Sequence, residues 1–390
     1  MNFQLNNWCY LPLSEISQIN THQIQPFSFD GYDKYLGLEN IEKDTGKITS
    51  YQDVEKANIK SSKFEFTKNS ILFGKLRPYL RKVALPNVSG ICSTDILSIT
   101  PDETRIRKEY LYFFLRSQMV TEWATAKSTG ANLPRISPNL LLKLIIPIPL
   151  IEIQEKIIEL LGSNRKIIDK HELALNTTYR IIQSIFTKMF YCQKFKIETI
   201  GAHVKEIDLK DPRNKPNDYF KYVDIASVDN KIGKIIETKN ILGKNAPSRA
   251  RKVLNTDDVI VSTVRPNLNA TALVTSEYNN QICSTGFCVL RCKNTLNPKY
   301  LYVFTRREDF IENLSQKMKG ASYPAVTNDD VLNVEIPIPP IELQNKFSSI
   351  VDVIQKMQET QLKSIHRDNL LFESLTSSIF NREVISKCNF

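Results

Sequence analysis

The segment Ile146-Pro147-Ile148-Pro149-Leu150-Ile151-Glu152-Ile153-Gln154 returns 190 residues later as Ile336-Pro337-Ile338-Pro339-Pro340-Ile341-Glu342-Leu343-Gln344. Proline suits the start of a helix and not its interior. After Pro149 and again after Pro340, about 40 residues pass without another proline, so each copy reads as the lead-in to a long helix. At 1.5 Å per residue such a helix measures about 60 Å, more than a globular domain needs. Apolar residues recur with alternating steps of four and three. The first series is Ile157, Leu161, Asn164, Ile168, His171, Leu175, Thr178, Ile182, Ile185 and Met189. The second is Phe347, Val351, Ile354, Gln358, Gln361, Ile365, Asp368, Phe372, Leu375 and Ile379. This is a coiled-coil seam, and two such helices in one chain most simply pack on each other. The polar members Asn164, His171 and Thr178 are expected at its wetter edge; the sharper reading makes them fix register. From Ser184-Ile185-Phe186 to Ser378-Ile379-Phe380 the offset is 194, so the second helix gains four residues, close to one turn.

Outward from the helices the whole chain proves to be written twice. Lys34-Tyr35 returns as Lys221-Tyr222, Gly46-Lys47-Ile48 as Gly233-Lys234-Ile235, and Arg77-Pro78 as Arg265-Pro266. Cys92-Ser93-Thr94 returns as Cys283-Ser284-Thr285, and Tyr110-Leu111-Tyr112 as Tyr300-Leu301-Tyr302. Gly130-Ala131 with Pro134 returns as Gly320-Ala321 with Pro324. The offset drifts only from 187 to 191, which chance does not explain, and units this long are duplicated domains rather than solenoid repeats. Before each helix lie about 145 residues of strand and turn patterns. Ile71-Leu72-Phe73-Gly74 and Val259-Ile260-Val261 read as core strands, and Ile282 to Leu290 as a single strand. Asp44-Thr45-Gly46-Lys47 has hairpin-turn chemistry, and short helices are expected around Glu109 to Ala126 and Pro298 to Lys319.

The 390 residues include 52 Lys and Arg against 42 Asp and Glu, a net charge of +10 that weakly favours a polyanionic partner. Between Lys60 and Lys82, seven cations (Lys60, Lys63, Lys68, Lys75, Arg77, Arg81, Lys82) face the single acid Glu65, with Phe64, Phe66, Phe73 and Tyr79 interleaved. Lys244, Arg249, Arg251 and Lys252 form a second run without an acid. Taken alone, either run is equally a solvated surface. Seven scattered cysteines make no disulfide framework, no apolar run approaches a membrane span, and Met1 to Leu11 does not read as a signal peptide. A reducing, cytoplasmic setting is the expectation.

Catalytic motifs are missing. No Gly-rich cofactor loop with an Asn/Asp-Pro-Pro-aromatic motif occurs, and Pro339-Pro340 follows isoleucine. Gly74-Lys75 and Gly243-Lys244 lack the upstream glycine and the hydroxyl residue of a phosphate-binding loop. Asp229 with Glu237-Thr238-Lys239 could suggest a metal-dependent nuclease, but Ser50 and Gln52 stand at the last positions in the other copy. Cys283, Cys288 and Cys292 lack the close pairing of a zinc site.

Two variable domains, each closing with Gly-Ala-x-x-Pro, Leu-x-x-Leu, Pro-x-Pro, Glu-x-Gln and a long helix, resemble the specificity subunits of type I restriction–modification enzymes. The motifs are Gly130 to Pro134, Leu141 and Leu144, Pro147 to Pro149, and Glu152 to Gln154. In the second copy they are Gly320 to Pro324, the conservative Val331 and Val334, Pro337 to Pro339, and Glu342 to Gln344. The similarity runs from Tyr10 to about Arg382. It implies an α+β chain of two duplicated mixed α/β target-recognition domains, separated by two long helices packed as an antiparallel coiled coil. The expected boundaries are 1–147 and 192–337 for the domains and 148–191 and 338–384 for the helices. It also implies a non-catalytic subunit that binds double-stranded DNA, two methyltransferase subunits and restriction subunits. S-adenosylmethionine, ATP and Mg are then expected on the partners, and no cofactor on this chain.

Duplex DNA is held through phosphates and read at base edges, so each domain needs a basic rim and polar side chains of defined reach. The first-domain rim candidates are Lys75, Arg77, Arg81 and Lys82 with Tyr79, and Ser93, Thr94, Asn132 and Arg135 are candidate base or backbone readers. In the second domain the candidates are Lys244, Arg249, Arg251, Arg265, Asn267, Asn269, Ser284, Thr285, Ser322 and Tyr323. Ser93, Thr94, Ser284 and Thr285 recur in both halves and so more readily serve the fold or a phosphate. Asn269 and Tyr323, opposite Arg81 and Leu133, are better placed to read sequence. Unlike domains on a shared frame imply two unlike half-sites with an unread gap that the helices set. The other reading is a duplicated coiled-coil assembly protein that bridges partners without reading DNA.

Overall fold

The computed structural model describes residues 8–29, 31–57, 59–320 and 324–380. The chain forms two compact units, Met1–Glu172 with Lys363–Phe390, and Leu173–Leu362. Both contain one copy of the repeated domain and a segment of each long helix.

In the first unit, Ile71–Gly74 is buried at every position and runs antiparallel between Ile96–Pro101 and Val83–Ala84, with Ser17–Asn20 completing the sheet. A second, five-stranded sheet is built around Gly90–Cys92, which pairs antiparallel with Lys63–Phe66 and parallel with Lys34–Leu36. The second unit repeats the plan. Val259–Ser262 lies between Phe287–Cys292 and Thr271–Leu273. Ile282–Ser284 pairs parallel with Tyr219–Val223 and antiparallel with Ala250–Val253. An antiparallel ribbon closes each domain onto its helix lead-in: Cys9–Pro12 with Ile145–Ile148, and Lys196–Thr199 with Glu335–Ile338.

The single strand expected from Ile282 to Leu290 is two strands, one in each sheet, broken at Thr285-Gly286. Gly90–Cys92 and Ile96–Pro101 are broken in the same way. The Cys-Ser-Thr motif is therefore the crossover between sheets. Its serine holds the bend, because Ser93 Oγ accepts from the Asp95 amide and Ser284 Oγ from the Gly286 amide. A continuous apolar run cannot announce such a change of sheet, since all its side chains are buried on either side of the bend.

The long helices span Ile151–Phe190 and Ile341–Ile379; positions past Phe380 lie outside the described residues. Gln154 of Glu-x-Gln is fully buried at the first turn. Its Oε1 accepts from the Arg107 amide at 2.8 Å, and its Nε2 donates to the Pro149 and Arg105 carbonyls. Gln344 repeats all three bonds with Asn297, Pro339 and Thr295. Tyr110 and Tyr300 fix the same corner, each donating to a ribbon carbonyl, Pro147 or Pro337, at 2.7 Å. The hairpin turns dock too. Lys47 pairs with Asp169 and Glu172, and Lys234 with Glu359 at the equivalent helix position.

Within the second unit the helix segments run antiparallel: Thr178 meets Gln358 while Phe186 and Phe190 meet Phe347. Within the first, His171 lies 3.5 Å from Asp368. The seam follows the heptads over most of its length and departs from them near the ends of both helices and at its polar positions; on the second helix Thr376 is buried and Leu375 half-buried. Near the end of the first helix the seam passes through Phe186 and Phe190, which are buried, and leaves Ile185 and Met189 half-buried. The larger rings win because they complete an aromatic cluster with Tyr300 and Phe347. Asn164 and Thr178 are buried, not at a wet edge; only His171 is half-buried as expected.

Candidate nucleic-acid interface

In each domain two sequence-distant loops are stitched together. Arg77 and Arg81 both adopt left-handed backbone conformations, with φ of 51° and 50°, around the turn Pro78–Leu80. Arg265 and Asn269 do the same, with φ of 48° and 54°, around Pro266–Leu268. Such angles are uncommon outside glycine and cost about 1–3 kcal/mol each, so their recurrence in both copies marks a shape the fold maintains. The turn is clamped to the Gly-Ala-x-x-Pro loop: Arg77 donates its amide to the Pro134 carbonyl at 2.7 Å, and Arg265 to Pro324 at 2.8 Å. Gly130 and Gly320, with φ of 105° and 99°, open those loops at an angle that side chains disfavour.

This frame gathers Lys75, Arg77, Asn132 and Arg135 in the first domain. Arg77 Nη2 reaches the Asn132 carbonyl at 3.4 Å, and Lys75 donates its amide to the Asp95 carbonyl. Arg135 grips Asp95 with two bonds, Nε to Oδ1 at 2.9 Å and Nη2 to Oδ2 at 3.1 Å, which holds the guanidinium pKa above its ordinary value. Tyr79 is exposed at the tip of the turn, and Asn132 is exposed in the loop. Thr94 is half-buried in the crossover.

Other rim candidates are turned inward. Arg81 bonds Glu373 on the second long helix and Gln118, and its side chain is 15% exposed. Lys82 donates to the Leu38 carbonyl at 2.8 Å, and burial lowers its pKa. Lys63 in the same run is buried and donates to Ser61. Only part of the Lys60–Lys82 run is thus free to serve as a rim, because Lys63 and Lys82 bond backbone carbonyls and Arg81 bonds Gln118 and Glu373.

In the second domain Arg265 and Asn267 are exposed on the turn, and Asn269 is half-buried. Arg249 is exposed and accepts through its carbonyl from the Thr285 amide, which sets both beside the crossover. The Ser284 hydroxyl is buried in that bend. Arg251 pairs with Asp211, whose pKa is held down at about 2, chiefly by its hydrogen bond to Arg213. Lys244 is exposed on a different loop, its amide donating to the Pro216 carbonyl. Ser322 and Tyr323 lie outside the described residues. Asp95, Glu373 and Gln118 were not foreseen. Asp95 had a signal in the repeat itself, because the positions of Asp95 and Arg135 carry Gly286 and Ala325 in the other copy.

Among the described residues, no three His, Cys, Asp or Glu side chains are grouped to hold a metal ion, and no helix is long and apolar enough to cross a membrane. Burial pushes the Cys92, Cys283 and Cys288 thiols up to about 12.

Residues 6–179 and 192–367 each match the family model for the type I restriction modification DNA specificity domain. The chain is 29% identical over 189 residues to the type I restriction enzyme EcoDI specificity subunit of Escherichia coli, covering 47% of this chain and 42% of that protein. It is 23% identical over 298 residues to the MjaVIII specificity subunit of Methanocaldococcus jannaschii, covering 70% of this chain and 69% of that one. The match thus spans less than half of the Escherichia coli relative. A chain from a solved type I restriction–modification structure, concerned with complex assembly and conformational transition, shares the fold at a TM-score of 0.53 and 20% identity, covering 97% of this chain and 98% of that one. Two matched segments, together spanning most of the sequence, place the chain in the family of type I restriction modification DNA specificity domains, of which it carries two copies.

Proposed function

We propose that this chain is the DNA-recognising specificity subunit of a type I restriction–modification enzyme, and that it reads a bipartite duplex target with two unlike half-sites. The observation that carries the reading is the doubled frame: a left-handed Arg-Pro turn clamped by one backbone bond to the Gly-Ala-x-x-Pro loop in each domain. The frame recurs while the exposed side chains on it differ: Tyr79 in one copy, Asn267 at the matching position of the other. A shared frame suits the constant part of a duplex, its phosphates, and differing side chains suit differing bases. Contacts to DNA are assigned to Lys75, Arg77, Tyr79, Asn132 and Arg135 in the first domain. Arg249, Arg265, Asn267 and Thr285 take that role in the second.

The chain is a recognition subunit without its own chemistry. S-adenosylmethionine, ATP and Mg belong to modification and restriction subunits docked on it. Exposed apolar side chains on the helix segments support docking: Ile167, Leu370 and Leu371 in the first unit, and Leu173, Val353 and Met357 in the second.

The test is selection of randomised double-stranded DNA by the full chain, alone and with its modification subunits, followed by sequencing. Two unlike motifs separated by unread positions are expected. Retention of no duplex, of one motif, or of two identical halves would overturn the reading.

A further inference from the structure

We propose that Arg135, positioned by Asp95, is a specificity-determining residue that reads a guanine in the half-site of the first domain; this rests on the DNA-recognition reading above. A guanidinium carries five N–H donors. Two of Arg135's go to the Asp95 carboxylate, at 2.9 and 3.1 Å, and one on Nη1 goes to the Leu133 carbonyl at 3.3 Å. Two donors remain, one on each terminal nitrogen, and the side chain is 41% exposed. Donors on the two terminal nitrogens of a guanidinium oriented by Asp95 match two acceptors side by side. Duplex DNA offers that as O6 and N7 of guanine in the major groove, or as two phosphate oxygens.

The second domain separates these sources and also the purely structural explanation. It builds the same frame. Lys75 donates to the Asp95 carbonyl at 2.9 Å, and Thr263 to Gly286 at 2.8 Å. Ile136 donates to Lys75 at 3.1 Å, and Val326 to Thr263 at 2.9 Å. Thr129 and Arg135 exchange two backbone bonds, as do Lys319 and Ala325. On that frame Gly286 and Ala325 replace the acid and the cation together. The backbone bonds therefore form without the ion pair, and a pair this exposed adds little to stability. A phosphate contact is needed in either half whatever its sequence, whereas a base contact is free to be present in one half and absent from the other. Simultaneous loss of both partners is what a base-reading device would show.

The test repeats the duplex selection with Arg135→Ala, Arg135→Gln and Asp95→Asn full chains whose melting matches the parent. The proposal expects the guanine preference at one position of one half-site to fall about tenfold or more in both Arg135 variants. All other positions should be kept. Asp95→Asn should weaken the same preference and no other, since it loosens the arginine without removing it. A uniform loss of affinity with an unchanged motif and a salt slope reduced by about one would make Arg135 a phosphate contact and overturn the proposal. An unaltered motif and slope would overturn it as well. If the parent chain selects no motif, the DNA-recognition reading itself fails and takes this one with it.

Discussion

Gln358 Nε2 donates to the Thr178 hydroxyl at 3.0 Å inside the helix seam, and that hydroxyl donates onward to the Leu175 carbonyl at 2.6 Å. Both side chains are buried, so the bond links positions 180 residues apart in an apolar layer. Removing one partner from such a pair is more costly than removing both. Thr178→Val should destabilise the second unit by about 1–3 kcal/mol, because the Gln358 amide is then buried without an acceptor. Adding Gln358→Leu should bring stability back to within about 1 kcal/mol of the parent. Calorimetric melting of the three variants checks this. A double variant no more stable than Thr178→Val would show that the bond does not account for the cost.

The seam also shows how far the sequence could be read. Heptads and proline-free stretches announced two long helices, because helix periodicity is local. Duplication announced two domains of one plan and put Arg77 and Arg265 at matching places, where the same left-handed turn is found. The partners of buried polar groups were not legible. Gln358 lies 180 residues from Thr178, and Glu373 lies 292 residues from Arg81. Nothing local distinguishes an arginine facing solvent from one turned onto a distant helix. The break at Gly286 was hidden for a related reason: Ile282–Ser284 before it and Phe287–Leu290 after it are buried at every position, so no alternation marks the change of sheet.

Gln154 and Gln344 anchor the first turn of each helix through one accepted and two donated bonds. Gln154→Ala should cost about 2–4 kcal/mol, since the Arg107 amide and two carbonyls lose their partner in a closed site. Gln154→Glu is the more telling change. Ionised, it would face the Pro149 and Arg105 carbonyls with no proton to donate, and burial would raise its pKa in the folded state. A carboxyl whose pKa is raised on folding costs least below its unfolded pKa, and the cost grows as pH rises from there to the folded pKa. The Gln154→Glu chain should therefore melt nearer the parent at pH 5 than at pH 8. Equal differences at both values would contradict the donor role of the amide.

Thiol chemistry should sort by burial. The Cys92, Cys283 and Cys288 thiols are buried and held up at about 12, so they present neither thiolate nor access at ordinary pH. Cys9 and Cys192 are exposed. Alkylation of the native chain with iodoacetamide at pH 8, followed by peptide mapping, should label Cys9 and Cys192 within minutes. Cys92, Cys283 and Cys288 should be labelled only after denaturation. Native labelling of Cys283 at the rate of Cys9 would mean that the sheet crossover opens.

The matched arginines offer the sharpest test of which cations meet DNA. Arg77 and Arg265 start the same clamped turn, and Arg265 is exposed upon it. Each phosphate contact contributes about 0.9 to the slope of log affinity against log salt. Arg77→Ala and Arg265→Ala should each lower the slope by about that amount, weaken all duplexes alike, and together lower it by about twice as much. Arg81 makes the opposite case. It belongs to the same basic run, but its guanidinium is committed to Glu373 and Gln118, so Arg81→Ala should leave the slope unchanged. Its effect should fall on the melting of the first unit instead, where Glu373 loses its cation. Binding measured from 50 to 300 mM salt for the three variants separates the two roles. If Arg81→Ala changed the slope and Arg265→Ala did not, the exposed turn would not be the surface that meets the phosphates.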